Sequence, residues 1–537
     1  WETALYQHRE SFVSPFNLLP GVPRVELSHH LAHAWSVLPQ TPFDAGLIVV
    51  MDGMGSTLHD LEAPGADYRS ERKLRRAPGF REVRSADSTP FGWREAETAY
   101  LFQGLQLRPV FKRWTPEPTP AFLHNYGFAD MESLGAVYSR VATHVFNDWN
   151  ACGKVMGLAP WARGRRRPLM QGPLERLRVD WKRLHAEPHP NGWENPKHHA
   201  GYARLAADAQ AGLETVAIEF LQRLRRQTGA KNLAFTGGVA LNCVLNGRIA
   251  RECGFEQVFV PAHPGDEGVA VGCAQFAWHE RHPKARAARV PSAPFQGRMW
   301  TAEDIADALH EFEPWLEPVR VPSDEAALLA WAARQLADGR VLGWFHGRSE
   351  FGPRALGHRS ILADPRRADM VERLNRAVKK RETFRPFAPV VLAEHATEWF
   401  TAPPPSPWMS FTAQARPKTR REAPAVVHQD GSSRVQTLPN TDSAAHPAGC
   451  TRLRSLVEAF AARTGLPMLL NTSFNLRGEA MVESPRDAVW TFLRSDMDFL
   501  VLEDQVLRRR RMPALHAQLR PLAAPGLVFE TVHSAEG

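Results

Sequence analysis

The stretch Ser28–Gly55, SHHLAHAWSVLPQTPFDAGLIVVMDGMG, decides the fold. It opens with His29 and His33 and closes with an apolar run, Ala45–Met51, that ends on Asp52. Histidines at i and i+4 share one helix face. An apolar run that stops at a carboxylate, followed by Gly53 and Gly55, reads as a buried strand leading into a tight turn. In an open α/β sheet, groups just beyond the carboxyl end of a strand face the binding crevice. Two imidazoles on one helical face plus a strand-end carboxylate are a candidate divalent-metal site. Two helix histidines satisfied by neighbours are the plainer alternative. His30 sits on another face and suits packing or a substrate contact better.

The chain has 537 residues, enough for roughly two or three domains. Apolar content of 43% and charged content of 23% are ordinary for a globular protein. Net charge is +8, from 66 basic and 58 acidic residues. That excess suits small anionic substrates such as phosphates and does not require nucleic acid. The arginine runs Arg165–Arg167 and Arg508–Arg511 read as solvated surface. Cys152, Cys243, Cys253, Cys273 and Cys450 are scattered and form no C-x-x-C pair. This disfavours a disulfide framework or a zinc ribbon and fits a reducing cytoplasm. No apolar run approaches the ~20 residues of a membrane span. WETALYQHRE is neither a signal peptide nor a natural start, so the chain is expected to be a fragment.

In chain order, residues 1–27 read as a loop-rich approach, and 56–130 as charged and irregular, with Pro116, Pro118 and Pro120 marking a loop. Residues 131–149 look helical. Gly153–Pro160, GKVMGLAP, reads as a loop that lays its backbone against a ligand, and 160–200 as an exposed insertion. Ala211–Thr228 carries a helical apolar stripe that ends at Gly229. A strand, Asn232–Phe235, enters Thr236-Gly237-Gly238-Val239-Ala240-Leu241-Asn242. Paired glycines there present free N–H groups to an anion, or simply allow a tight turn. Asp266, in Gly265-Asp266-Glu267-Gly268, reads as a further metal ligand or a helix cap. Residues 280–298 have the composition of a linker.

Beyond it, Asp324–Asp338 reads as a helix and Arg340–Phe345 as a strand. Cations then cluster: Arg354, Arg359, Lys379, Lys380, Arg381, Arg385 and Arg434. The strand Pro467–Leu470 opens onto a polar turn, Asn471-Thr472-Ser473-Phe474-Asn475. Such groups suit a phosphate and nucleotide pocket, although Arg359 and Arg381 can equally be scaffold ion pairs. Residues 396–427 read as a Pro-rich loop.

The blocks HHLAHA, VMDG, GKVMGLAP, FTGGVALN, EFGPRALGHRSILADPR, KKRETFRPFAP, DGSSRVQT and LLNTSFNLRGE occur together in this order. The set resembles the O-carbamoyltransferases of antibiotic and nodulation-factor biosynthesis, over about residues 25–507. The resemblance implies an α/β protein with an actin/Hsp70-like (TsaD-like) domain over 1–285 and a linker over 286–300. A YrdC-like twisted α/β domain follows over 301–512, with a tail over 513–537. It implies that the second domain makes carbamoyl-adenylate from carbamoyl phosphate and ATP. The first then transfers the carbamoyl group to a hydroxyl of a small-molecule acceptor. Carried over residue by residue, His29, His33, Asp52 and Asp266 match the metal ligands, iron(II) being the ion expected. Gly237, Gly238 and Asn242 match the adenylate-holding turn, and Lys154 lies in a matching loop. Arg354, Lys379, Arg434, Asn471 and Ser473 match the catalytic carbamoyl-phosphate and ATP site, with Lys380 as the alternative register for Lys379. The family opens with further strands that carry a His-Asp pair, which this chain lacks.

The resemblance implies a cytoplasmic enzyme with no stable nucleic-acid partner and no membrane, and it allows a homodimer. A tRNA threonylcarbamoylation enzyme is the nearest alternative, against which the GPRALGHRS and NTSFN blocks speak. A non-catalytic ligand-binding remnant is the alternative from another class. A hydrogenase-maturation carbamoyltransferase would carry C-x-x-C repeats.

Overall fold

The computed structural model describes residues 27–62, 79–86, 88–89, 91–117, 130–186, 193, 196–283, 294–321, 324–402, 404–440 and 449–510. The approach segment up to residue 26, Pro118 and Pro120, most of the linker and the tail expected over 513–537 lie outside these residues. The described chain is mixed α/β with two large sheets and a small two-stranded one.

The first half is built on β1 (Ala45–Met51), β2 (Arg81–Arg84), β3 (Trp93–Gln103), β4 (Gln106–Pro116), β5 (Asn232–Thr236) and β6 (Gln257–Phe259). Their order is β2-β4-β3-β1-β5-β6. From Gly46 onward β1 is buried on both faces, as its unbroken apolar run requires. It pairs antiparallel with β3 (Met51↔Glu97) and parallel with β5 (Val50↔Thr236). The helices that frame the site are α1 (His29–Val37), α2 (Leu134–Phe146), α3 (Cys152–Leu158), α4 (His199–Thr228), α5 (Cys243–Glu252) and α6 (Val269–Arg281). The largest core of this half lies between β1, β5, α2 and the apolar stripe of α4, with Leu213, Val216, Phe220 and Leu221 buried. Leu31, Trp35, Ile48 and Phe276 form a second core under α1.

The second half contains β7 (Leu316–Pro318), β8 (Leu342–Phe345), β9 (Arg359–Ala363), β10 (Ala388–Leu392), β11 (Phe400–Thr401), β12 (Phe411–Ala415), β13 (Ser432–Leu438), β14 (Met468–Ser473), β15 (Phe499–Leu502) and β16 (Gln505–Arg509). These form one sheet, ordered β11-β12-β13-β10-β14-β9-β8-β15-β16-β7. Helices α7 (Ala302–Glu311), α8 (Glu325–Ala337), α9 (Thr451–Thr464) and α10 (Pro485–Leu493) complete it. Thr301 and Ser484 begin α7 and α10 with reciprocal capping boxes.

Several expectations need correction. Residues 93–116 are the long β3–β4 hairpin, not an irregular stretch, because their charges are buried in pairs along a sheet. GKVMGLAP is helix α3 and a following turn, since Val155 and Leu158 pack inward at helical spacing. In 160–200, Leu169, Met170 and Leu174 are fully buried. The stretch 396–427 contains β11 and β12, whose apolar residues alternate inward. Asn471, Thr472 and Ser473 belong to strand β14, not to a turn after it.

Candidate metal and anion sites at the junction of the two halves

Helix α1 begins where Ser28 can cap it, its Oγ accepting the N–H of Leu31 at 3.1 Å. That places His29 and His33 one above the other, with their Nε2 atoms 3.1 Å apart. Asp52 follows β1 directly, and its Oδ2 lies 2.9 Å from His29 Nε2. Asp266 opens the turn before α6, and its Oδ1 lies 3.4 Å from His29 Nε2 and 3.3 Å from His33 Nε2. The four donor atoms all lie within 4.8 Å of one another. Gly237 follows β5 with φ of +91°, and a Cβ there would sit 2.3 Å from the Met51 carbonyl oxygen. The close approach lets the Gly238 N–H donate to Asp52 Oδ1 at 2.9 Å and orient that carboxylate.

Burial alone would lower the His29 pKa, but hydrogen bonds that its ring N–H donates to Asp266 and Asp52 override it and raise it well above the usual value. Burial and the Asp266 charge push against ionisation of Asp52, yet His29 and His33 hold its carboxyl below the usual range. Two imidazole nitrogens and two carboxylates converging on one point are a donor set that fits a first-row divalent ion and disfavours calcium.

A second centre lies between the halves, a cavity of about 310 Å³. The first half contributes Gly153, Met156 and Gly157 of α3 and Cys243 and Val244 of α5. The second half contributes Arg354, Arg381, Arg385, Arg434, Asn471 and Ser473 among others. Burial, then the Arg434 charge, lowers the Arg354 pKa to about 9. Burial, then Arg385, lowers Arg381 to about 9. Arg434 Nε is buried with no hydrogen-bond partner among the described residues. Crowded guanidinium groups with an unused donor are what an anion would relieve.

Lys379 stands one layer behind this cavity. Its Nζ donates to Ser473 O at 2.6 Å, Ser473 Oγ at 3.1 Å and Asn475 Oδ1 at 2.6 Å. Burial, then Arg381 and Arg385, lowers its pKa well below the usual lysine value. Lys380 points outward to the Arg494 carbonyl. Arg359 is scaffold: it lies 3.5 Å over the Phe345 ring and donates to the carbonyls of His346, His358 and Glu483.

The remaining sequence-derived residues divide. Asn242 caps α5, with its Oδ1 accepting the Leu245 N–H, and also pairs with Gln210. Gly237, Gly238 and Asn242 do not line the cavity. Their segment leads to it, because Arg354 Nη2 donates to the Leu241 carbonyl at 3.1 Å. Lys154 faces a smaller recess of about 230 Å³ with Phe146, Trp193, Glu382 and Arg477. Its Nζ is 3.3 Å from Glu382 Oε1.

Sequence reasoning did not assign Arg385, and it left Arg381 open. The signal was present in the density of cations in KKRETFRP. It also missed the buried pairs Glu95–Lys112 and Glu97–Arg113 behind the histidine helix. Burial would raise the Glu95 pKa, but the Lys112 ammonium brings it down to about 2. The alternation in WREAETAYLF was the available sign of a strand.

Fold and sites together define a two-part α/β protein that joins a candidate metal-donor cluster to a cavity lined by cations. The family model described as carbamoyltransferase N-terminus matches residues 22–275, and that described as carbamoyltransferase C-terminus matches residues 333–509. A nodulation protein, NolO, of Bradyrhizobium diazoefficiens is 35% identical, covering 74% of this chain and 74% of its own. The nodulation protein NolNO of Sinorhizobium fredii is 33% identical over 90% of this chain, which spans 64% of that relative's length. The chain therefore belongs to the carbamoyltransferase family of enzymes. Among solved structures, HypF of T. kodakarensis overlaps with a TM-score of 0.32 at 15% identity, over 53% of this chain and 40% of its own. That likeness adds nothing to the reading of the fold.

Proposed function

We propose that the protein is an ATP-dependent O-carbamoyltransferase that works in two half-reactions, one in each half of the chain. The observation that carries this reading is the cavity between the halves, where Arg354, Arg381, Arg385 and Arg434 converge beside Asn471 and Ser473. Phosphoryl and adenylyl transfer depend mainly on fixed positive charge around the phosphates. In this reading the half over 301–512 has a YrdC-like arrangement and forms carbamoyl-adenylate from carbamoyl phosphate and ATP. That product keeps one carbamoyl and one adenylyl group, so pyrophosphate and orthophosphate both leave and one water is consumed. Arg354 and Arg434 bind the phosphate oxygens, and Lys379 holds Ser473 and Asn475 in place against them. The Asn471 Oδ1, buried without a partner among the described residues, accepts from the carbamoyl amide.

The half over 1–285 has an actin-like arrangement and transfers the carbamoyl group to an alcohol, with AMP leaving. His29, His33, Asp52 and Asp266 would hold the divalent ion, iron(II) in this proposal. A bound divalent ion supplies Lewis-acid stabilisation of oxygen charge as the carbamoyl group moves. The segment from Gly237 to Asn242 connects the two centres, and the packed junction limits the access of water to the adenylate. Among the described residues no helix is long and apolar enough to cross a membrane, and the acceptor we propose is a small molecule rather than a nucleic acid.

The test is to incubate the protein with ATP, carbamoyl phosphate and a panel of alcohols, following pyrophosphate and product mass. The expected result is pyrophosphate release dependent on both co-substrates, with one acceptor gaining a single carbamoyl group. ATP cleavage that ignores carbamoyl phosphate contradicts the reading.

A further inference from the structure

We propose that Glu95 is a positioning residue for the metal-ligand group: its single buried carboxylate holds both the helix that carries His29 and His33 and the loop that leaves Asp52. The inference rests on the reading of those residues as a metal site. Glu95 is 0% exposed on β3. Its Oε2 accepts the backbone N–H of His30 at 3.3 Å and that of Ser56 at 3.1 Å. The His30 N–H belongs to the first turn of α1, where N–H groups lack a partner within the helix and negative charge is favoured. Ser56 ties the loop to the same helix, its Oγ accepting the His29 N–H at 3.0 Å. The loop is also laced to β3 by backbone bonds, Gly55 N–H to Glu95 O and Glu95 N–H to Ser56 O, each at 3.0 Å. Gly55 is required there, because a Cβ would lie 2.6 Å from Glu95 Cβ and 3.0 Å from His30 Nε2.

The other carboxylate oxygen is held from β4, where Lys112 Nζ donates to Glu95 Oε1 at 2.6 Å. His30 is fixed from the same strand as Glu95, its Nδ1 lying 2.7 Å from Thr98 Oγ1. Glu97 repeats the device. Its Oε1 accepts the Leu134 N–H that starts α2, and Arg113 Nε donates to its Oε2 at 2.7 Å. The cap of α2, Ser133, donates in turn to the Gly53 carbonyl beside Asp52. A buried ion pair is a poor way to gain stability, since apolar residues of equal volume serve as well. What an apolar pair cannot do is accept two N–H groups from two different ligand-bearing segments. Sites of this kind need their donors held to about 0.5 Å.

The experiment uses Glu95→Gln and the double variant Glu95→Leu/Lys112→Met in the whole protein, with Co(II) as the metal probe. Calorimetry and the visible absorption of bound Co(II) report the site; amide hydrogen exchange at His30 and Ser56 reports the two tethers. Loss of a contact to the ligand itself weakens metal binding about 10–100-fold, so a tether acting through the backbone is expected at the lower end, about 10-fold. We expect that loss in the double variant at a temperature where it is fully folded, a smaller loss in Glu95→Gln, an altered Co(II) spectrum and faster exchange at both amides. Glu95→Gln keeps one acceptor oxygen and the side-chain volume, so it decides the matter if the double variant does not fold. Parent-like Co(II) affinity in the folded double variant, or in Glu95→Gln with faster exchange at His30 and Ser56, overturns the proposal. If the parent itself binds no Co(II), the metal reading fails separately, and unchanged exchange at His30 and Ser56 then overturns the tethering role.

Discussion

Arg354 and Arg434 show most plainly how single residues bear on the proposed function. Two guanidinium groups are held close in a partly buried cavity, and the Arg354 pKa falls to about 9 from burial and from Arg434. A base with a lowered folded pKa penalises folding at neutral pH, and stability rises only as pH climbs above about 9. An anion in the cavity should remove that penalty. Pyrophosphate is therefore expected to raise the melting temperature at pH 7.5 by a few degrees. Arg434→Met should raise the melting temperature of the free protein and lose most of the pyrophosphate increment, as read by scanning calorimetry. A variant that keeps the whole increment would show that the anion binds elsewhere. At the candidate metal site, Asp52→Asn keeps the side-chain size and an oxygen for the Gly238 N–H but removes the charge. It should weaken divalent-ion binding by more than the roughly 10–100-fold typical of an outer contact, read by calorimetry, while leaving the fold intact. The convergence of His29, His33 and Asp52 was legible because they sit in one short stretch with helical and strand-end spacing. Asp266 was less so, since an acidic residue before a helix is usually only a cap. Arg385 was legible as one of a run of cations though not as a particular ligand, and Glu95 was not legible, because its role depends on neighbours distant in the chain.

Helix α1 owes its place to close packing by α6. A Cβ on Gly272 would lie 1.9 Å from the Ala32 carbonyl oxygen, so glycine is required where the two helices cross. Trp35 packs edge-on against Phe276 from the same helix, with ring centroids 5.6 Å apart. Gly272→Val should push α1 off its seat and destabilise the protein by about 1–3 kcal/mol in urea unfolding. Divalent-ion affinity should fall with it, because α1 and the turn before α6 both carry proposed ligands; unchanged stability would contradict the crossing. Elements with a clean period were readable in the sequence: Ala211–Thr228 lies within α4, and Asn232–Phe235 within β5. The β3–β4 hairpin was not, because Glu95, Glu97, Lys112 and Arg113 are charges facing a buried interior. Alternation that buries ion pairs looks like a solvated loop until the partner strand is known. The same holds for β12, whose Thr412 faces the first half of the molecule, with its Oγ1 donating to the Cys243 carbonyl at 3.3 Å.

In the molecule as a whole, two sheets meet so that a pocket of cations from one closes on helices of the other. Gly247 of α5 lies against β12, where a Cβ would be 2.5 Å from the Thr412 carbonyl oxygen, and Asn246 donates to the Ser410 carbonyl at 2.9 Å. The division of labour between the halves is the central claim, and it predicts that variants divide by half. Arg434→Ala removes a cation proposed to face phosphate and should slow pyrophosphate release ~10²-fold or more. It should still carbamoylate acceptor from supplied carbamoyl-adenylate. His33→Ala should do the reverse. The most direct measurement is pyrophosphate release and carbamoylated product, followed side by side in these two variants and the parent. His33→Ala is expected to give pyrophosphate without product, and Arg434→Ala product from supplied adenylate but little pyrophosphate. Parent-rate pyrophosphate release by Arg434→Ala, or its loss in His33→Ala, would contradict it.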